Sequence, residues 1–570
     1  MIGTYAAVIA VCAASLTIGQ AAIALCGVRR WSWLAPAVGL ALLCALCWGT
    51  VRLPGDGAVS AIAVPILAAA SVFYLRGRVE DAAEALRAGA PVGVLALCAA
   101  SLPFLAEGHF GILGTSFNPD MSQHLLATDR LVHGEGSQLL HQGYPLAPHA
   151  VVVTLSKGLG IGLVQGFGGL TVAVAILASL TALAAFRDQP PLLRVPAALV
   201  VGLTYMVASY FAQGAFKETM QALFFLAFVL ALREASRDPE WRQLPLRLLP
   251  AAVLAAGSIY AYSFPGLIWL VPAAAIWLAL ERVFPVRAIL LALAAFAVLA
   301  VPEAGRMVDF QQFETFDPDG PGLGNLFAPI SPFEALGIWP SGDFRLSPGD
   351  GAVPALGYYL GAAFASILLL YGLVLCWLRR ETAIVAGLAA AALAYVAARI
   401  GGTPYTIAKA IEIGAPLAAL VIVLPLLRRP VAWLYLAAAG GCSLLAFANA
   451  PVGPTSYSPV LTGLRDDVGA GPTLVLASRQ LLEDEHGTPY LAWEMRGGRV
   501  CIESEDEAGS EPPLGVRFVV TESDRPPFPR LRLQRVASPY VLWKRMGPIT
   551  GRSPCPLIAV RQARRAVSQD

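Results

Sequence analysis

Apolar residues run through this chain in long stretches, and polar residues gather in a few intervals between them. The runs are about 17–25 residues long, enough to cross a hydrocarbon core of roughly 30 Å at about 1.5 Å per residue. They predict membrane helices near residues 5–27, 32–51, 58–75, 90–106, 164–186, 194–211, 217–233, 247–262, 264–281, 287–302, 354–378, 381–399, 408–427 and 430–449. Polar intervals at 107–163 and 303–353 interrupt the series, and hydropathy falls for good near residue 451. In the tail, Thr473–Ser478 and Val516–Thr521 read as buried strands, Ser478–Glu485 as a helix start, and Leu531–Val536 with Tyr540–Lys544 as a closing hairpin. The expected fold class is therefore an all-α polytopic membrane protein of about 14 transmembrane helices with a small C-terminal α/β domain. Three regions follow: extra membrane helices over 1–89, a main membrane region over 90–450 with its two long loops, and the tail domain over 451–570.

Composition agrees with this pattern. Of 570 residues, 57% are hydrophobic and only 14% charged, too little charge to cover a soluble protein of this size. A net charge of +2 gives no reason to expect a nucleic-acid partner. Seven cysteines lie in apolar segments and read as small hydrophobes. Cys501 and Cys555 lie in the tail, where a disulfide and two free thiols are both open readings. The first segment lacks a basic leader and reads as a retained helix rather than a cleaved signal.

Arginine placement sets the expected orientation. Arg29/Arg30, Arg76/Arg78, Arg187/Arg194, Arg233/Arg237/Arg242, Arg282/Arg287, Arg379/Arg380 and Arg428/Arg429 all fall on one side provided that 148–163 does not cross. The positive-inside tendency then puts those loops in the cytoplasm. The intervals 107–163 and 303–353 and the tail are expected outside, in a multi-pass protein of the plasma membrane whose C-terminal domain is extracytoplasmic (periplasmic).

Polar chemistry concentrates on that outer side. Five of the six histidines fall between His109 and His149. Asn118-Pro119-Asp120 opens a helix on which Asp120 and His124, and Asp129 and His133, are four apart. Leu125, Leu126 and Leu131 give it an apolar side, so it reads as an amphipathic interfacial helix. A plain solvated helix is the competing reading, and a divalent metal on Asp120 and His124 is a third; no other cofactor is indicated. Lys217, Arg399 and Lys409 stand on the nominally disfavoured outer side, beside Glu218, Glu303 and Glu412, with Tyr144, His149 and Tyr262 at neighbouring helix ends. Snorkelling or local ion pairs such as Lys409–Glu412 would also account for these cations. An acid, imidazoles and cations outside an otherwise charge-poor membrane suit attack of a hydroxyl on a sugar linked to a lipid phosphate. Asp120 would remove the acceptor proton, with His124 or Asp129 as second candidates. Arg399, Lys409 and Lys217 would bind the donor phosphate, and Tyr144, His149, Tyr262, Glu303 and Glu412 would line the substrate site.

The loop acid at Asp120, the helix that carries it, the Tyr144-Pro-Leu-Ala-Pro-His149 segment and the many crossings resemble the membrane glycosyltransferases of the GT-C fold. The resemblance covers about 90–450 and lies in the layout. It implies an inverting transfer from a polyprenyl-phosphate sugar donor to a glycan or glycolipid acceptor, in cell-envelope biogenesis, with Asp120 at the position of the family's loop aspartate. The paired acids of some members are absent, since Asn118-Pro119-Asp120 supplies one. A transporter or flippase of lipid-linked glycans is the alternative, although no repeated halves are visible.

Overall fold

The computed structural model describes the chain except residues 56, 115–118, 133–137, 238–244, 283–284, 312–321, 325, 327, 344, 347, 352, 454–457, 470, 485–486, 497, 510–512 and 550–570. It forms two compact units. The first holds Met1–Leu113 and Leu131–Val452; the second joins Gly114–Arg130 to Gly453–Asp570.

The first unit is helical. Among the described residues, eleven helices are long and apolar enough to cross a bilayer, or twelve if the bent pair Pro191–Gly202 and Tyr205–Ala212 is one span. The 50° bend has a local cause. Leu203 leaves helical geometry at φ −125°, and Thr204 caps the next helix by accepting from the Val207 N–H. Reaching fourteen crossings would require Ala35–Val51 (17 residues) and Leu249–Tyr262 (14 residues) to span as well. At about 1.5 Å per residue these cover roughly 25 and 21 Å, less than a full hydrocarbon core. Ala147–Leu159 is shorter still at 13 residues, opened by Pro148 and ended by Gly160 at φ +65°.

Burial sorts the helices into centre and periphery. Leu163–Phe186, Phe216–Arg237 and Pro404–Leu426 are 83–94% buried over their apolar windows, whereas Ala58–Leu75 and Val286–Phe310 are 11% and 17% buried. The outer helices expose Ile62, Phe73, Val298, Ile367 and Leu370, surface that suits lipid rather than water. Helices Ile2–Leu25 and Ala35–Val51 pack backbone to backbone. A Cβ added at Gly19 would fall on the Ala35 carbonyl, and one at Gly39 on the Ser15 carbonyl.

Contacts among the basic loops gather them at one end of this unit. Asp81 accepts from the Trp31 N–H at 2.6 Å and pairs with Arg187 at 2.7 Å. Glu381 binds Arg233 and Arg237, each at 2.7 Å; Thr382 binds Glu281; Arg428 reaches Gln189 at 3.2 Å.

The second unit contains a five-stranded mixed sheet. Strand Thr473–Ala477 lies parallel to Val500–Ser504 on one side and to Phe518–Thr521 on the other. Tyr540–Arg545 pairs antiparallel with Phe518–Thr521, and Leu531–Ala537 forms the far edge. Leu474, Leu476, Cys501, Val516, Val519, Phe528, Val541 and Trp543 make its core, and the buried Trp543 indole donates to Thr521 Oγ1 at 3.0 Å. Cys501 is disulfide-bonded, and Cys555 lies outside the described residues.

Candidate functional site

Helix Pro119–Val132 begins with a proline, whose fixed φ suits a first turn, and an aspartate favoured by the positive end of the helix dipole. One turn on, His124 Nε2 approaches Asp120 Oδ2 to 3.5 Å. The two partners differ sharply in environment: the His124 side chain is 3% exposed and that of Asp120 is 46% exposed. A buried imidazole thus lies beside a half-exposed carboxylate, and Thr128 Oγ1 donates to the His124 carbonyl at 2.7 Å on the same helix. His133, the proposed partner of Asp129, lies outside the described residues, as does Asn118.

Asp129 faces a different neighbour. The Arg496 guanidinium lies 3.5 Å from the Trp493 ring centroid and donates to the Trp493 carbonyl at 2.7 Å. Burial, with Arg465 nearby, pulls its pKa down to about 10, against the opposing pull of Asp129 and Glu494. Glu494 is fully buried and accepts from Thr462 Oγ1. The sequence signal for this cluster is Trp493-Glu494-Met495-Arg496, an acid in the last turn of helix Thr488–Glu494 and a base just beyond it, which matches no functional motif.

Within the first unit, Lys409 and Glu218 meet across helices Pro404–Leu426 and Phe216–Arg237, with Nζ–Oε1 at 3.2 Å. The Lys409 ammonium also lies 4.0 Å from the Tyr405 ring and 5.9 Å from that of Tyr262. Lys217 lies over Tyr144 at 4.0 Å. Glu412 is three residues from Lys409 yet does not pair with it; its side chain is fully buried, and neither carboxylate oxygen has a hydrogen-bond partner among the described residues. The Tyr210 hydroxyl, also buried, is likewise unpartnered there.

The remaining sequence candidates fall elsewhere. Arg399 is exposed in the last turn of Thr382–Gly401, and no hydrogen bond joins it to the Lys409 group among the described residues. His149 is buried edge-on to Tyr144, Phe167 and Phe216. Glu303 is 1% exposed and accepts from Trp48 Nε1 at 2.7 Å and Arg306 Nε at 2.6 Å, with Arg52 at 3.6 Å. Arg306 further donates to the carbonyls of Gly143 (2.8 Å) and Ile259 (3.0 Å) and to Ser263 Oγ (3.2 Å). Gly143 is required there: its φ is +68°, and a Cβ would strike the Arg306 carbonyl. Such a satisfied network clamps helix ends rather than offering ligand groups. No cluster of three or more metal-ligating side chains occurs among the described residues. The Asp120–His124 pair therefore supplies two ligands, fewer than a divalent ion's usual set.

Comparison of the chain with protein-family models and with curated proteins finds no match to either.

Proposed function

We propose that this chain is an integral membrane glycosyltransferase that moves a sugar from a polyprenyl-phosphate carrier to an acceptor hydroxyl on an extracytoplasmic cell-envelope glycan or glycolipid, with inversion at the anomeric carbon. The observation that carries the reading is the Asp120–His124 pair, a half-exposed carboxylate beside a buried imidazole. In the reaction the acceptor O–H proton passes to Asp120 while its oxygen attacks the anomeric carbon. The bond from that carbon to the phosphate oxygen breaks, and the electron pair leaves with the phosphate. Lys409, Lys217 and Arg399 are the cations proposed for donor-phosphate binding; they belong to the first unit, whereas Asp120 belongs to the second. Lys409 is paired with Glu218, so a donor phosphate would have to compete with Glu218 for it. The basic loops gathered at one end of the helical unit support placing that end in the cytoplasm; about fourteen crossings and an extracytoplasmic tail are part of the proposal.

One observation favours the alternative, a flippase or transporter of lipid-linked glycans. Glu412 is a buried, unpartnered carboxyl inside a membrane helix, the kind of group that marks proton or substrate pathways. Purified protein in proteoliposomes, supplied with radiolabelled polyprenyl-phosphate sugars and glycan acceptors, separates the two. Label appearing in the acceptor supports transfer. Label crossing the bilayer still attached to its lipid supports translocation and rejects the enzyme.

A further inference from the structure

Glu412 lies inside the membrane helix Pro404–Leu426, fully buried, with both carboxylate oxygens unpartnered among the described residues. Its backbone carbonyl is short of a partner as well. Four residues on stands Pro416, which has no N–H to close the helical hydrogen bond. A further oxygen, the buried Tyr210 hydroxyl, is also unpartnered there, and the Glu412 charge acts on it. Helices Phe216–Arg237 and Tyr205–Ala212 both pack on Pro404–Leu426 and bring these groups together.

The charges around Glu412 do not balance. Those that act on it are Glu218 and Lys409, and these two cancel in their own ion pair at 3.2 Å. Lys217 acts on Glu218 and lies over the Tyr144 ring; the other titratable neighbours are the phenols of Tyr210, Tyr262 and Tyr405. An ionised Glu412 is thus one positive charge short in a site closed to solvent, where an unpaired charge is costly. The bland account is a carboxyl that keeps one proton permanently. That settles the charge but leaves the new O–H, the Glu412 carbonyl and the Tyr210 hydroxyl unanswered. We propose that Glu412 is the seat of one exchangeable monovalent cation, a proton or a sodium ion. One charge is missing, so a divalent ion would overshoot. Hard oxygens, a carbonyl freed at a helix irregularity among them, suit such a guest. A phosphate that drew Lys409 away would remove the cation that acts on Glu412, so that anion and the guest cation would each strengthen the other's binding. This consequence rests on the donor reading; the seat does not, and stands whether the chain transfers or translocates.

Thermal midpoints of the full-length protein in neutral detergent, at fixed ionic strength and scan rate, test the seat. Sodium chloride is set against choline chloride at alkaline pH, and acid against alkaline pH in choline chloride. A sodium guest predicts a rise of about 2 °C on adding sodium; a proton guest predicts that rise with acid alone. Acid titrates other groups too, so each response is read as the difference between wild type and Glu412→Gln. Glutamine keeps the shape without the charge, so the variant should melt at or above wild type in choline chloride, and lost response would not reflect misfolding. Glu218→Gln should abolish the response as well, because Lys409 is then free to answer Glu412, three residues along the same helix. Equal responses in wild type and Glu412→Gln to both ions would overturn the proposal. So would a response that survives in Glu218→Gln.

Discussion

Arg306→Met tests whether the buried clamp around Glu303 holds the helix ends. The substitution keeps the aliphatic stem and removes four hydrogen bonds, to Glu303, Gly143, Ser263 and Ile259. Glu303, 1% exposed, would keep the Trp48 indole and a looser contact to Arg52 at 3.6 Å. Breaking a buried ion pair costs about 3–5 kcal/mol because the surviving charge is stranded. The half-exposed Arg52 offsets part of this, which favours the lower end. In a helical unit this large, about 3 kcal/mol should lower the apparent melting midpoint by roughly 5 °C. Tryptophan fluorescence in detergent at fixed scan rate reads it, since such unfolding is commonly irreversible. The diagnostic comparison is Glu303→Gln/Arg306→Met, which removes the stranded charge and should melt above Arg306→Met alone. A midpoint within 1 °C of wild type for Arg306→Met, or a double variant that melts lower than Arg306→Met, would refute the clamp.

Three further outcomes are expected. Burial pushes the Glu334 carboxyl up to about 8 from its usual 4.5, so its contribution is complete below pH about 4.5 and is lost as pH rises through 8. Amide exchange over Pro332–Leu336 should therefore quicken between pH 6 and 9 in wild type, beyond the intrinsic rate, and Glu334→Gln should abolish the excess. Gly39→Leu should force helices Ile2–Leu25 and Ala35–Val51 apart and lower the midpoint by several degrees, while Gly49→Leu, with open space around it, should not. A single cysteine replacing exposed Leu533 should react with a membrane-impermeant maleimide in intact cells, and one replacing exposed Arg380 only after lysis; labelling of both in intact cells would reject the proposed orientation.

The sequence marks helices well where apolarity alone defines them, and 58–75 matches Ala58–Leu75 at both ends. It is late by eight residues at Ala82–Ala106, because Glu84 and Arg87 lower the hydropathy of a turn that is helical all the same. The buried apolar runs at 473–478 and 516–521 and the hairpin read at 531–536 and 540–544 match strands Thr473–Ala477, Phe518–Thr521, Leu531–Ala537 and Tyr540–Arg545, whereas Val500–Ser504 has too short a run to stand out. Long-range partners are the least legible. Spacing suggests Lys409–Glu412, but the lysine pairs with Glu218, almost two hundred residues away in sequence, because the two helices pack together. Likewise, nothing local in 114–130 announces that it belongs with the tail, since that grouping is set by tertiary contacts.

Transfer of radiolabelled sugar from polyprenyl phosphate by Asp120→Asn, set beside wild type at saturating donor, bears most directly on the proposed chemistry. Asparagine keeps the size and a hydrogen bond to His124 but cannot accept the acceptor proton, so the rate should fall by about 10²–10⁴-fold while donor binding is kept. Wild-type turnover in the asparagine variant would contradict Asp120 as the base.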